Sequence, residues 1–388
     1  MMTAAAPHSP VARPGLGEIA KVFLRLGFIA FGGPAAHTAM MEDEFVRRRE
    51  WLTRERFLDM LGAVSLLPGP SSTELAIYLG QMRAGILGLV VAGASFIVPA
   101  AVMTAVLAWA YVRYGAVPQV AGVLFGVKPV VVALIAQAVW SLARSALKSR
   151  ELAFLALVVV VLAALGVSAI PLLLGTGVAW IVAQHATGPR NAPAFILASS
   201  APASAATAAI VSVGIRSVFF YFLKIGALVV GSGYVLLAVL RADLVLRLHW
   251  LSEAQLLDAI AVSQATPGPF FTVATFIGYL LSGWKGASLA TLGMFLPAFV
   301  YVAATARFLP KLRQSPAGSA FLDGVNAAAV ALMAFVGFQF ARATLLTPSA
   351  AVIGAVSAFL IFRYRVNSAW LVLLGAAAGT ALKLLHLM

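Results

Sequence analysis

Along this chain the apolar residues fall in long continuous blocks, and short basic clusters separate the blocks. A helix crossing the hydrocarbon of a bilayer needs ~20 mostly apolar residues, a length that stretches such as 86–112 and 123–143 reach. The pattern predicts helical segments over 16–41, interrupted at "FGGP", 57–80, interrupted at "LPGP", 86–112, 120–143 and 152–184. The second half repeats the series at 218–240, 256–281, 284–308, 321–345 and 350–385. The last block of each half is punctuated, by "GVSAIP" at 166–171 and again near 363–367, so it is either a tilted span with an extension or two short helices. About 10 to 12 membrane segments are expected, in an all-α polytopic integral membrane protein.

The two halves are copies. Setting Phe23 against Phe222 brings Leu24, Gly27, Gly32, Trp51, Asp59, Pro68, Gly69 and Pro70 onto Leu223, Gly226, Gly231, Trp250, Asp258, Pro267, Gly268 and Pro269. After one deletion Gly80, Gly85, Gly88, Pro99, Gly126 and Arg144 fall on Gly278, Gly283, Gly286, Pro297, Gly324 and Arg342. Half-chain repeats are a signature of secondary transporters, whose substrate site lies at the repeat interface. The expected organisation is a disordered tail at 1–15, a first repeat at 16–185, a linker at 186–216 and a second repeat at 217–388. The tail has no apolar core, so no cleavable signal peptide is read there.

Loop charge orients the copies. Arg47, Arg48, Arg49, Arg54 and Arg56 follow the first segment, whereas only Arg241 and Arg247 follow its counterpart. Between the third and fourth segments the bias reverses, with Arg113 alone against Arg307, Lys311 and Arg313. A loop that is basic in one half and poor in its partner is expected of inverted repeats, with the "LPGP" segment a re-entrant or broken hairpin.

Composition narrows the chemistry. With 62% apolar residues, 10% charged residues and a mean hydropathy of +0.99, the chain is not a soluble domain. The net charge of +14 lies mainly in short loops, which assigns it to membrane orientation and not to nucleic acid. The absence of cysteine excludes thiolate metal sites and thiol catalysis, and no GxxxxGK[ST] phosphate loop is present, so no cofactor, metal or nucleotide is expected. The histidines at 8, 37, 185, 249 and 386 form no close-spaced cluster, which weighs against an intramembrane lipid-phosphate enzyme.

The candidate site rests on the interrupted helices. A proline within a helix removes an N–H and costs ~3 kcal/mol or more, and in hydrocarbon no water satisfies the freed groups. Such breaks persist where they are buried in protein or line a cavity. At Pro68-Gly69-Pro70 a new half-helix can start with Pro70 at its first position, which would aim the donors of Gly69, Ser71, Ser72 and Thr73 and the positive end of the dipole at one place, suited to an anion. Gly32, Gly33 and Pro34 form a second break, and Gly231 with Gly233, and Pro267-Gly268-Pro269 followed by Thr272, form the matched pair. A single break is more simply a packing kink; matched pairs favour a substrate site. Arg25 and Lys224 occupy equivalent places ahead of the glycine breaks, either in the site or snorkelling to the interface, and Lys128 faces Asn326 in the other copy. Glu74, matched by Val273, is either a proton carrier or the ion partner of Arg25 or Lys128. Asp59 and Asp258 are candidates for caps, charge partners or coupling groups, and His37 for a local hydrogen bond.

These motifs resemble the chromate ion transporter (CHR) family: "FLRLGFIAFGGPAAH", "LLPGP" followed by "STELAIYLG", "GVKPVVVAL", "FLKIGALVVGSG" and "ATPGPFFTVATFIGY" stand in its order and spacing from Phe23 to the chain end. The resemblance implies a bacterial inner-membrane carrier that exports chromate, with a proton or sulfate gradient as driving force and Arg25, Lys128, Lys224 and the glycines and prolines of the breaks as site positions. The sequence departs at Glu74, where the family pattern has a neutral amide. Sulfate, with the same shape and charge, is the alternative substrate; a passive anion channel is the alternative mechanism, and a homodimer is among the expected assemblies.

Overall fold

The computed structural model describes residues 15–31, 33–65, 67–115, 118–186, 214–229, 235–305 and 316–385, and among them it contains no β-strand. The first repeat comprises α1 (Leu16–Ile29), α2 (Gly33–Glu42) continuing into a π-helical turn (Asp43–Arg48), α3 (Arg54–Val64), α4 (Ser71–Tyr114), α5 (Pro118–Ala146), α6 (Arg150–Ala164) and α7 (Ala169–Ala186). The second comprises α8 (Ile215–Leu228), α9 (Val235–Leu240) with its π-helical turn (Arg241–Arg247), α10 (Glu253–Ala265), a 3-10 turn (Phe270–Thr272) leading into α11 (Val273–Thr305), α12 (Pro316–Thr344), α13 (Pro348–Tyr364) and α14 (Ser368–Leu384). The punctuated block at the end of each half is therefore two short helices. Among the described residues, four helices have the length and hydropathy to cross a membrane. Their outward faces carry Trp140, Phe338 and Leu292, as lipid contact requires.

Helix α4 has 44 residues, roughly 66 Å if straight, about twice the hydrocarbon thickness. It folds back on itself instead. Ala84 (φ −139°, ψ 26°) and Gly85 (φ 62°, ψ −149°) leave the helical region, and a Cβ on Gly80 would collide with the backbone of Gly88. A Cβ on Gly93 would meet Ile77 at 2.8 Å. Residue 80 against 88 and residue 77 against 93 is an antiparallel register, so arm 71–83 lies along span 86–114. The second repeat does the same at Ser282 and Gly283 (φ 59°, ψ −150°), with Gly278 against Gly286 and a 2.7 Å hydrogen bond between the Thr275 and Thr291 hydroxyls. Glycine serves the turns because a positive φ burdens any residue with a Cβ, and serves the crossings because a Cβ would separate the arms.

The interrupted segments are re-entrant hairpins. Arg49 at the end of α2 pairs with Glu18 at the start of α1 (2.6 Å), and the Phe23 and Phe45 rings are 5.2 Å apart, so α1 and α2 run antiparallel with "FGGP" at the tip. The expectation of one interrupted crossing over 16–41 is corrected by this contact. The Arg83 guanidinium lies 4.9 Å above the Trp51 ring, which folds arm 71–83 back along α3 with "LPGP" at the tip. In the second repeat Tyr221 meets Trp250 at 5.5 Å, closing the mouth of the equivalent α8–α9 hairpin. Thr53 caps α3, and Ser252 with Gln255 forms a capping box on α10. The matched aspartates Asp59 and Asp258 lie within these helices and are not their caps.

The repeats open on opposite faces. Span 86–114 starts at the face that holds Trp51 and Arg83 and ends at the other, where the Tyr111 hydroxyl donates to Asp258 at 3.0 Å. Asp258 stands in the N-terminal half of α10, on the side of the second-repeat hairpin mouths. The repeats also exchange their last helices. A Cβ on Gly324 of α12 would meet the backbone of Thr176 and Gly177 of α7, and one on Gly126 of α5 would strike Gly375 and Gly379 of α14. Packing through small residues lets the helix axes approach closely where no aqueous hydrophobic effect drives association.

Candidate functional site

Two pseudo-symmetric backbone hydrogen bonds join the hairpin tips. The N–H of Gly69 donates to the carbonyl of Val229 at 2.8 Å, and the N–H of Gly268 donates to the carbonyl of Ala30 at 2.8 Å. Each ties the "PGP" tip of one repeat to the end of the first half-helix of the other, so all four half-helix ends converge inside the protein. Gly69 (φ 131°) and Gly268 (φ 95°) adopt backbone angles that disfavour any Cβ. Gly69, Pro70, Pro267, Gly268 and Pro269 are buried, and Pro68 is half-buried. Gly33 (φ 77°) starts α2 at the adjacent tip, whose Pro34 is the second residue of that helix. The remaining break residues, Gly32, Gly231 and Gly233, lie outside the described residues.

The expected cluster of free donors is corrected in part. The N–H of Gly69 is committed to Val229, and those of Thr73 and Glu74 to the carbonyl of Pro70 (2.7 and 3.0 Å). The side chains supply the polarity instead. Ser72 is buried and its hydroxyl lies 3.3 Å from Nδ1 of His37, whose Nε2 bonds to the Ala30 carbonyl at 3.0 Å. Among the described residues the Thr73 hydroxyl and both Glu74 carboxyl oxygens are fully buried and have no hydrogen-bond partner. The Glu74 carboxyl sits beneath the tip: a Cβ on Gly69 would approach its Oε1 to 2.7 Å.

The second repeat is apolar at the matching places. Leu236 stands for His37, Phe270 and Phe271 for Ser71 and Ser72, and Val273 for Glu74, all buried. Thr272, the counterpart of Thr73, donates to the Pro269 carbonyl at 2.9 Å and accepts from Thr104 at 3.4 Å. The architecture is two-fold, but among the described residues the first-repeat tip carries the buried His37, Ser72 and Glu74, whereas the second-repeat tip offers the hydroxyls of Thr266 and Thr272.

Two cavities lie in opposite halves of the protein, and one of them reaches this centre. One of about 300 Å³ is lined by Ser65, Leu67, Ser71, Lys148, Asp323 and Asn326, and so reaches from the basic face to the "LPGP" tip. The other, about 540 Å³, is lined by Tyr111, Phe125, Lys128 and Asp258. Lys128 Nζ lies 2.9 Å from Asp258 Oδ1, an ion pair between the repeats. Asp258 is thus a charge partner, and Lys128 is not the partner of Glu74.

Arg25 and Lys224 are exposed on the outer faces of α1 and α8, opposite the buried stripes that hold Phe23 and Phe222. Among the described residues no Lys or Arg belongs to the buried set, which contains Glu44, Glu74, Asp258 and His37. The structure therefore does not bring Arg25 or Lys224 into the buried centre. Asp59 is exposed on α3. Sequence reasoning missed Thr104, whose hydroxyl lies 3.4 Å from those of Thr266 and Thr272, because nothing in its apolar block marks it. It also missed Ser72 as the partner of His37; the spacing of thirty-five residues between them carries no periodic signal.

Known proteins are similar to the chain over most of its length. The chain is 32% identical over 374 residues to a chromate transport protein of Cupriavidus metallidurans, covering 93% of this chain and 92% of that one. It is 33% identical over 381 residues to a chromate transport protein of Pseudomonas aeruginosa (92% and 90%) and 30% identical over 325 residues to a probable chromate transport protein of Synechococcus elongatus (82% and 83%). No solved structure matches the chain. The family profile for chromate transporters matches twice, at residues 17–183 and 216–380. This multi-pass membrane protein, a transporter and not an enzyme, belongs to the chromate transporter family.

Proposed function

We propose that the protein is a secondary carrier of chromate or an equivalent tetrahedral oxyanion, working by alternating access between its inverted repeats. The observation that carries this reading is the pair of Gly69–Val229 and Gly268–Ala30 hydrogen bonds, which hold half-helix ends at the repeat interface. Half-helix N-termini favour anions, and inverted-repeat carriers place substrate where such ends meet. The named relatives transport chromate, which agrees in shape and charge. The proposed binding group is the first-repeat tip, from Pro68 to Thr73, with Gly33, Pro34 and the opposing tip at Pro267 to Pro269 and Thr272.

The positive-inside bias assigns the face with Arg47, Arg48, Arg54, Arg56, Lys148 and Arg150 to the cytoplasm of a bacterial inner membrane. The cavity that reaches Ser71 then opens inward, and the Lys128–Asp258 pair lies on the far side, an arrangement suited to export. Sulfate, of the same shape and charge, competes for the site on this reading.

The test is uptake of labelled chromate into proteoliposomes that hold the purified protein, with sulfate as competitor and with an imposed pH gradient or trapped sulfate. Saturable, gradient-driven movement supports a coupled carrier. Movement that never exceeds electrochemical equilibrium under any gradient assigns a channel, and no movement by folded protein overturns the reading.

A further inference from the structure

We propose that Glu74 is a proton-binding residue whose protonation is required for the oxyanion to bind, so that proton and anion cross in the same direction. The proposal rests on the carrier reading above. It starts from three observations. The carboxyl is fully buried, and neither of its oxygens has a hydrogen-bond partner among the described residues. It lies in the first turn of arm 71–83, against the Gly69 tip. The Thr73 hydroxyl beside it is likewise buried and unpartnered.

The surrounding charges do not neutralise it. From α2, His37 is engaged by Ser72 and the Ala30 carbonyl. From α1, Glu18 pairs with Arg49 at the membrane face and Arg25 is exposed; from α8, Lys224 is exposed. On α3, Asp59 is exposed, and on α10, Asp258 is taken by Lys128. On the arm itself, Arg83 sits at the far end over Trp51, about two and a half turns from Glu74. What remains for an ionised Glu74 is the positive end of its own half-helix, the group that would hold the substrate.

A carboxylate and a dianion cannot share that pole in a low-dielectric interior, where like charges repel far more strongly than in water. Protonation removes the competing charge and leaves the pole to the anion. The balance is one proton taken up by the Glu74 carboxylate as one dianion binds, and both released on the other side, with one net negative charge moved per cycle. The second repeat, with Val273 at the matching place, contributes no second proton site.

The experiment compares wild type and Glu74→Gln with chromate as the probe. Chromate binds a proton of its own near neutrality, equally for both proteins, so the difference between them isolates Glu74. In wild type the affinity should fall by up to about tenfold more per pH unit than in Glu74→Gln wherever the carboxylate predominates in the free protein, the slope for one linked proton. At pH values where the carboxylate predominates in the free protein, calorimetry in buffers of different ionisation enthalpy should show about one more proton taken up per chromate bound by wild type than by the variant, a readout that a merely structural role would not move. In proteoliposomes, an acid donor side should accelerate wild-type transfer and lose that effect in the variant. Identical pH profiles and proton counts in the two proteins, or acceleration by an alkaline donor side, overturn the inference. If wild type itself neither binds nor moves chromate, the carrier reading fails instead. Should Glu74→Gln misfold, the wild-type proton count at graded pH decides alone: a count no larger than chromate's own protonation requires overturns the inference.

Discussion

The N–H of Gly69 donates to the carbonyl of Val229 across 2.8 Å, from the tip of one repeat to the end of a half-helix in the other. The bond needs a backbone at φ 131°, and a Cβ there would press on the Glu74 carboxyl. Its mate, Gly268 to Ala30, has the same length, at φ 95°, with Ala100 in the way of a Cβ. Both repeats thus use glycine where the chain must turn and a second backbone must come close.

Gly69→Ala and Gly268→Ala should each cost about 1–3 kcal/mol of backbone strain, concentrated at the tips. Because about 1.4 kcal/mol is a factor of ten, transport per folded molecule should fall about fivefold or more. Initial rates normalised to the detergent-extracted monodisperse protein measure this; wild-type rates in both variants would remove the tips from the site.

The fold-back of α11 has a direct test in a chain that lacks cysteine. Thr275 and Thr291 touch through their hydroxyls at 2.7 Å, whereas a straight helix would hold residues sixteen apart at roughly 24 Å. Thr275→Cys with Thr291→Cys should form an intramolecular disulfide on mild oxidation. A protease site engineered into the turn near Gly283 would report the cross-link as fragments that stay joined without reductant.

Lys128 and Asp258 form an ion pair in which Asp258 is buried and the Lys128 side chain stays 24% exposed, both lining the larger cavity. Removing one partner should destabilise the protein by about 1–3 kcal/mol, because the other is left charged where solvent screens it only in part. Lys128→Met with Asp258→Leu should recover much of that loss, and a thermal-unfolding double-mutant cycle reads the coupling. Additive losses would mean that the pair is not formed in the membrane.

Arg25 and Lys224, which the motif pattern would put in the site, are exposed on the outer faces of their half-helices. Arg25→Ala and Lys224→Ala should therefore shift chromate affinity by less than about threefold, whereas Thr73→Val, which removes a buried unpartnered hydroxyl at the tip, should weaken it about tenfold. Equilibrium binding to purified protein discriminates the two groups; the reverse order would place the anion on the outer face of α1.

Much of this was legible in the sequence. The apolar blocks determined an all-helical membrane protein, since bilayer thickness fixes the length of a crossing helix. The matched glycines and prolines determined the duplication and the position of the two PGP breaks, because backbone geometry that tolerates no Cβ or N–H is written in residue type. The alternation of basic loops anticipated that the repeats face opposite ways. What the tertiary structure decided is which groups meet. The segment boundaries already fell beside Gly85 and Gly283, but only the structure shows which residues of the two arms touch, and only the crossing of the repeats sets Gly69 on Val229 and Lys128 on Asp258. Helical periodicity sets Phe23 and Arg25 about 200° apart, on nearly opposite faces of α1, but the rotation of the helix about its axis decides which of the two faces turns to the centre. That rotation is set by where Gly27 lets α1 lie against Phe96 and Pro99, a contact between distant segments that no local pattern encodes.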